Sequence, residues 1–337
     1  MTDAARALYF QGPRSVTVSE EPRPSPDTDE VLLETVVSGV SPGTELLVYE
    51  GKVPEELAVD ETIDTLEGTF DYPVQYGYAA VGRVMATGAN VDDSWLDELA
   101  FAFNPHESHF TANPAALEPV PDGIDPETAT LFPTAETAVN FVLDAAPRIG
   151  ERVVVFGAGP IGLTTTALLS TFPLDSLTVV DPVADRRSLA ESFGATATTT
   201  PEGLRGIDWG DPAGADCCVE VSGNPNALDD AIRTVGYDGR VVIGSWYGTK
   251  SAELDLGGRF HRERIDLRSS QVSTIAPADR GRWTKDRRMD RAVDAVREHD
   301  LGRLVTHRIP FGDASAAYEL LASEDDALTT VFTYDDA

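Results

Sequence analysis

The most specific chemical signature in this chain is the run Gly157-Ala158-Gly159-Pro160-Ile161-Gly162. It follows a short β-branched stretch, Arg152 to Phe156, that reads as a buried parallel strand. It opens a segment, Leu163 to Leu169, that reads as a helix. A second apolar run, Ser176 to Val180, ends on Asp181, 19 residues past Gly162. A glycine-rich turn between strand and helix, followed by an acid at the end of the next strand, is suited to holding a dinucleotide. Gly157 permits the tight turn, Gly159 lets the backbone approach a pyrophosphate, and Gly162 lets the helix pack on the strand. Ala158, Pro160 and Ile161 complete the turn, and the positive end of the helix faces the phosphates. Asp181 would accept the ribose hydroxyls and favours NAD, because a 2′-phosphate would meet its negative charge. Arg186, with Arg187 beside it, would serve NADP instead.

These residues need a scaffold, and the pattern around them supplies one. Arg287 to His299 reads as a helix of the different pattern that follows this region, while within it Ala184 to Phe193 and Asn224 to Val235 read as helices, and Asp216 to Val221, Arg240 to Trp246 and Asp266 to Ser273 as strands. Strand–helix alternation of this kind predicts a doubly wound parallel sheet. Before it comes a β-rich region. Ala5 to Phe10 and Ser15 to Ser19 read as a hairpin, Glu30 to Val37 as a strand, Ser38 to Glu45 as a polar turn, and Tyr72 to Val84 as a glycine-punctuated strand. Residues 51–72 read as an acidic surface excursion, and Asp125 to Ala145 as one bridging helix with Pro126 in its first turn. After the nucleotide region, Val305 to Pro310, Ala314 to Leu321 and Leu328 to Tyr334 form a closing strand–helix–strand.

Composition narrows the partners. The chain has 337 residues, enough for two domains, and a net charge of −31 from 57 acids against 26 bases. Such a surface argues against nucleic acid and anionic membranes. The acids are spread throughout and only Lys52, Lys250 and Lys285 are lysines, which fits a halophilic, high-salt cytoplasm where repulsion is screened. Cys217 and Cys218 are adjacent in an apolar run and read as two small core side chains. The start, MTDAARALYF, lacks a signal pattern and no apolar run is long enough to span a bilayer, so the expected location is the cytoplasm.

Taken together, the β-rich start, the fingerprint, Gly77 to Gly82 in place of a GHExxG motif, and the tail from Val305 to Leu321 make the chain resemble the medium-chain dehydrogenase/reductase superfamily. That is the superfamily of the zinc alcohol dehydrogenases. The stretches SGVSPGTELLVYEG and PVQYGYAAVGRV are closest to a subgroup that includes the bacteriochlorophyllide hydroxyethyl dehydrogenases. The resemblance implies an α/β chain with a GroES-like catalytic domain, residues 1–122 and 277–337, interrupted by a Rossmann domain, residues 123–276, with the active site in the cleft between them. It also implies a homodimer joined edge to edge through Arg240 to Ser273.

The zinc ligands of that family are missing here. Its CGTD motif reads Pro42-Gly43-Thr44-Glu45, its GHE reads Gly77-Tyr78-Ala79, and the third ligand falls near Pro133. The expectation is no zinc, with His106 and His109 plus Glu45 or Glu136 as the alternative metal set. Without a Lewis acid, hydride transfer needs hydrogen-bond donors for the developing oxyanion. Thr44 matches the family's substrate-contacting hydroxyl, and Tyr78 stands where a zinc-binding histidine would. Ser41, Glu45 and His106 are relay candidates, and Thr137 resembles the threonine that packs on the nicotinamide. The expected function is a zinc-independent, NAD-linked oxidoreductase acting on an alcohol or carbonyl of a small organic substrate. An NAD(P)H-dependent reductase of an activated C=C bond and a non-catalytic dinucleotide sensor are the alternatives.

Overall fold

A computed structural model describes residues 4–60, 62–63, 65–323 and 327–334. The first three residues of the start read above lie outside that set. Two compact units emerge: residues 1–133 with 300–337, and residues 134–299.

The first unit opens with an antiparallel hairpin, β1 (Ala4–Gly12) and β2 (Ser15–Pro22), whose turn uses Arg14 in the left-handed region. β3 (Val31–Val40) runs longer than expected, and the segment read as a polar turn instead carries the strand to Val40 and begins helix α1 (Thr44–Tyr49). Gly39 makes this continuation possible: a Cβ there would come within 2.8 Å of the Thr130 Cβ, so only glycine lets the strand pass. β4 (Ala80–Thr87) starts later than the sequence suggested, and residues 72–79 are loop. β5 (Leu99–Ala102), β6 (His109–Ala112) and β7 (Leu117–Pro119) follow.

The bridging segment is two helices, not one. α2 (Pro126–Ala129) is capped by Asp125, whose Oδ1 accepts the Thr128 N–H at 2.9 Å, and α3 (Phe132–Ala145) restarts with Pro133 in its first turn, where a missing N–H costs nothing.

The second unit is built on β8 (Arg152–Phe156), α4 (Pro160–Leu169), β9 (Ser176–Val180), α5 (Ala184–Ser192), β10 (Ala197–Thr199), α6 (Pro201–Leu204), β11 (Ala215–Glu220), α7 (Pro225–Thr234), β12 (Val235–Ile243) and β13 (Asp266–Ser269). Its six strands are all parallel in the order β10-β9-β8-β11-β12-β13, a doubly wound sheet that reverses direction between β8 and β11. Val153 to Val155 and Cys217 to Val219 fill its middle, so both cysteines are core side chains and burial pushes their thiols well up. α4 is buried nearly all round, which its three threonines allow by donating back to the carbonyls of Pro160, Ile161 and Gly162.

α8 (Lys285–Glu298) belongs to this unit, which moves the second boundary from 276 to 299. The physical reason is Arg288, 1% exposed, whose guanidinium donates to Glu136, Asn140 and the Val272 carbonyl. The first boundary moves from 122 to 133, because α2 packs on β3.

The chain then returns to the first unit through β14 (Val305–Pro310), α9 (Ala314–Ser323) and β15 (Thr329–Thr333). The resulting sheet runs β14-β15-β3-β4-β5-β7, with β6 also paired to β3. Its core gathers Phe10, Phe311, Tyr318 and Phe332 with Tyr49, Phe70 and Tyr76, so these last three aromatics are packing residues. Among the described residues no helix is long and apolar enough to cross a membrane.

Candidate active site

In the second unit the fingerprint has the geometry its sequence demands. Gly157 sits at φ +99°, and a Cβ there would strike the Ser222 backbone at 2.7 Å. Gly162 lies so close to the Gly157 carbonyl that a Cβ would come within 1.9 Å. At Gly159 nothing lies within 4 Å of where a Cβ would be, so the backbone there is open to an approaching group. Gly159 opens α4 with no side-chain cap, which leaves the first-turn N–H groups of Ile161 and Gly162 to an anion. Asp181 is buried at the end of β9. Its Oδ2 accepts the Ala158 N–H at 2.7 Å and its Oδ1 the Val183 N–H at 2.9 Å. The carboxylate therefore braces the turn with one bond on each oxygen. Arg187 Nη1 donates to the carbonyls of Asp181 and Pro182 at 2.8 and 2.9 Å. Arg186 is half-buried on α5, and Thr137 is half-buried on α3. The residues present fit a dinucleotide: a cradle without side chains, a helix start and an acid at the neighbouring strand end.

In the first unit the five candidate residues separate into two groups. Three hydroxyls meet: the Tyr78 phenol donates to Ser41 Oγ at 2.6 Å and lies 3.4 Å from Thr44 Oγ1. All three are half-buried, and they come together because β3 delivers Ser41 to the start of α1 while residues 72–79 bring Tyr78 alongside. Burial pushes the Tyr78 phenol above its ordinary value, against the pull of its two hydroxyl partners, and Glu45 adds to the rise. Tyr78 is thus a neutral donor at any physiological pH.

Glu45 and His106 lie behind them, both fully buried. Glu45 Oε1 accepts the Ser41 N–H at 2.7 Å, and Oε2 meets His106 Nε2 at 3.0 Å and the Tyr318 hydroxyl at 2.7 Å. The other ring nitrogen, Nδ1, is 2.7 Å from Ser38 Oγ, which is 2.8 Å from the Tyr334 hydroxyl. This chain of five side chains runs under the hydroxyl group and holds Ser41 in place. Glu45 and His106 reach no surface, and they meet the hydroxyl group through the Ser41 N–H.

Sequence reasoning missed Tyr318 and Tyr334, which lie far from Glu45 in the chain, and Ser38, which lies near it but in a stretch read only as a polar turn; folding joins the three. It also passed over Glu220, which ends the apolar strand Ala215–Glu220 just as Asp181 follows Val180; the same signal was present in both places.

The alternative metal set is not assembled. His106 is fully engaged by Ser38 and Glu45, His109 pairs with Ser108 at 3.0 Å, and Glu136 binds Arg288. Among the described residues no group of three His, Cys, Asp or Glu side chains is placed to hold a metal.

Fold and cradle together define a two-unit dehydrogenase-like chain, and the comparisons agree. Residues 160–289 match the family model described as zinc-binding dehydrogenase. D-guloside 3-dehydrogenase of Escherichia coli K12 is 27% identical over 223 residues, 63% of each chain; the match thus spans under two thirds of that relative's length. The 2-dehydro-3-deoxy-L-galactonate 5-dehydrogenase of Pseudoalteromonas atlantica is 25% identical over 335 residues, 93% of this chain and 94% of its own. Among solved structures, zinc dependent alcohol dehydrogenase 2 of Streptococcus pneumonia superposes with a TM-score of 0.80 at 20% identity, covering 99% of both chains. An alcohol dehydrogenase of E. coli CFT073 complexed with NADH gives 0.77 at 17% identity, over 98% of this chain and 100% of that one. In fold and in the matched segment the chain is similar to the medium-chain dehydrogenases.

Proposed function

We propose that this protein is a nicotinamide-dependent oxidoreductase that interconverts an alcohol and a carbonyl on a small, hydroxyl-bearing organic substrate, without zinc. The observation that carries this reading is the hydroxyl group Tyr78–Ser41–Thr44, in which Tyr78 and Thr44 match by sequence resemblance a family metal ligand and its substrate-contacting hydroxyl. The two relatives described above act on sugar-derived alcohols by their names, which supports a polyol or sugar acid as substrate class.

Bound in the cradle, the dinucleotide supplies the hydride or accepts it. The chain's own residues do the rest. Tyr78, kept neutral by burial, donates to the oxygen on which negative charge develops, a contribution typically worth about 10²–10³ in rate. Ser41 and Thr44 hold the phenol and offer further hydroxyls to the same oxygen. Glu45, through the Ser41 N–H, fixes the turn that presents them.

The donor set argues for a metal-free site. Pro42 and Pro133 have no side-chain ligand, and a neutral, buried phenol at Tyr78 is a poor one for zinc. Asp181 supports NAD over NADP, since its charge faces the position a 2′-phosphate would take. The dimer remains part of this reading: β13 is the outermost strand on its side of the parallel sheet and three of its four residues are exposed. A monomer mass by light scattering in high salt would remove it.

The test is a screen of polyols, sugar acids and their keto forms with NAD(H) and NADP(H) in high salt. Turnover of an alcohol or carbonyl with NAD(H) supports the proposal. Turnover confined to activated C=C bonds with NADPH would replace it with the reductase reading, and tight dinucleotide binding without turnover of any substrate would point to a sensor.

A further inference from the structure

The second unit contains a fully buried carboxylate that the hydride chemistry above does not use. Glu220 ends β11, the first strand beyond the reversal of the sheet, and its register partner on β8 is Phe156, the residue before the fingerprint. Its Oε1 accepts the Ser222 N–H at 2.8 Å and the Ser222 hydroxyl, and its Oε2 accepts the Tyr247 hydroxyl at 2.5 Å. Its backbone carbonyl takes the Gly244 and Ser245 N–H groups at 2.9 and 3.2 Å. Two more bonds join the same loops: the Gly223 N–H donates to Ser245 Oγ at 2.8 Å, and Lys250 Nζ to the Gly223 carbonyl at 2.9 Å. The loop after β11 and the loop after β12 are therefore one cross-linked wall, with Glu220 as its central pin.

That wall touches the fingerprint. A Cβ on Gly157 would meet Ser222 Cα at 2.7 Å and Ser222 N at 2.9 Å, so the serine that Glu220 holds forms the back of the glycine turn. The arrangement mirrors Asp181, which holds Ala158 of the same turn from the β9 side. A dinucleotide lies across the reversal point of such a sheet, one nucleotide over each half. With Asp181 on the adenosine half, the β11–β13 half receives the nicotinamide.

We propose that Glu220 is a positioning residue for the nicotinamide half of the dinucleotide. It acts through Ser222 and Tyr247, and fixes the two loops against which that half lies. The inference rests on the dinucleotide reading above. A carboxylate accepting three donors does this without mobility. An amide at the same place accepts on one oxygen only, so the charge-assisted bond on the other oxygen gives way to a weaker neutral one running from the N–H₂ group to a hydroxyl, and the pin is loosened.

The experiment compares wild type with Glu220→Gln, Tyr247→Phe and Ser222→Ala in high salt, measuring affinity for NADH and for ADP by titration. ADP reports the adenosine half and the pyrophosphate cradle alone. Glu220→Gln is expected to weaken NADH by about tenfold and ADP by no more than about twofold, with the two single-donor variants intermediate for NADH. Equal losses for NADH and ADP would overturn the proposal by making Glu220 a general brace of the sheet, and so would unchanged NADH affinity in all three variants. Should Glu220→Gln fail to fold, Tyr247→Phe and Ser222→Ala decide on the same criterion, since each removes one donor and leaves the strand intact. Wild type that binds ADP but not NADH would also overturn it. Wild type that binds neither would instead remove the dinucleotide reading, and this inference with it.

Discussion

The two units use buried carboxylates for opposite ends. In the parallel-sheet unit, Asp181 accepts two backbone N–H groups, and Glu220 accepts one together with two hydroxyls; both sit at strand ends and so shape the loops around the glycine turn. In the other unit, Glu45 ties together side chains, His106 and Tyr318 as well as the Ser41 N–H, and so shapes a group of hydroxyls. A site built from backbone depends on where glycine is and on what braces the turn. A site built from side chains depends on the identity of each one. The first kind tolerates change in the surrounding side chains; the second changes chemistry with two or three substitutions.

Substitutions should expose that difference. The largest effect on rate is expected from Tyr78→Phe, which removes the donor and keeps the ring: kcat should fall about 10²–10³-fold with NADH affinity and melting temperature nearly unchanged. A fall in affinity instead would place Tyr78 in packing and break the contrast between units. Glu45→Ala leaves the Ser41 N–H, the His106 ring and the Tyr318 hydroxyl without their shared acceptor in a fully buried position. Denaturant unfolding should show a loss of about 3 kcal/mol. A loss below about 1 kcal/mol would mean the buried chain contributes little to holding the site.

A smaller effect is expected at Glu107, in the same unit but outside the hydroxyl group. Burial pushes its carboxyl up to about 7, against the Asn104 amide that donates to it at 2.8 Å, while Glu21 adds to the rise. The folded protein thus keeps a proton that the unfolded chain releases near its ordinary value of 4.5. The contribution is fully present below that pH and is lost as pH rises through about 7. Because Glu107 is partly open to solvent, the change should be only about 1–2 kcal/mol. Glu107→Gln should flatten this part of the stability–pH curve, and an unchanged slope would contradict the assignment.

How much of this was legible in the sequence follows from the same contrast. The strands around Gly157 to Gly162 were readable to the residue, since β8 and β9 fall where the apolar runs do, while the helix read from Leu163 begins earlier, at Pro160. The acid at Asp181 was readable by its spacing, yet its brace on Ala158 was not, since that bond joins residues 23 apart in the chain. In the other unit, residue types pointed to Thr44 and Tyr78 only through the family resemblance. Nothing local announces that Ser38, His106, Glu45, Tyr318 and Tyr334 will meet. Ser38 to Glu45 looked like a turn because Gly39, Pro42 and Gly43 are turn formers; tertiary packing of Gly39 against Thr130 overrode that preference and made strand and helix of it. The helix across Asp125 to Ala145 broke for a local reason, the Phe132-Pro133 restart, that periodicity alone does not reveal.

The central claim is that hydroxyls, and not a metal, stand at the reacting oxygen. The most direct test is to measure zinc by elemental analysis on active protein, before and after dialysis against a strong chelator, while following NADH-linked turnover of the substrate found in the screen. The account predicts substoichiometric zinc and a turnover number that chelation leaves unchanged. Stoichiometric zinc whose removal abolishes turnover and whose return restores it would contradict the account.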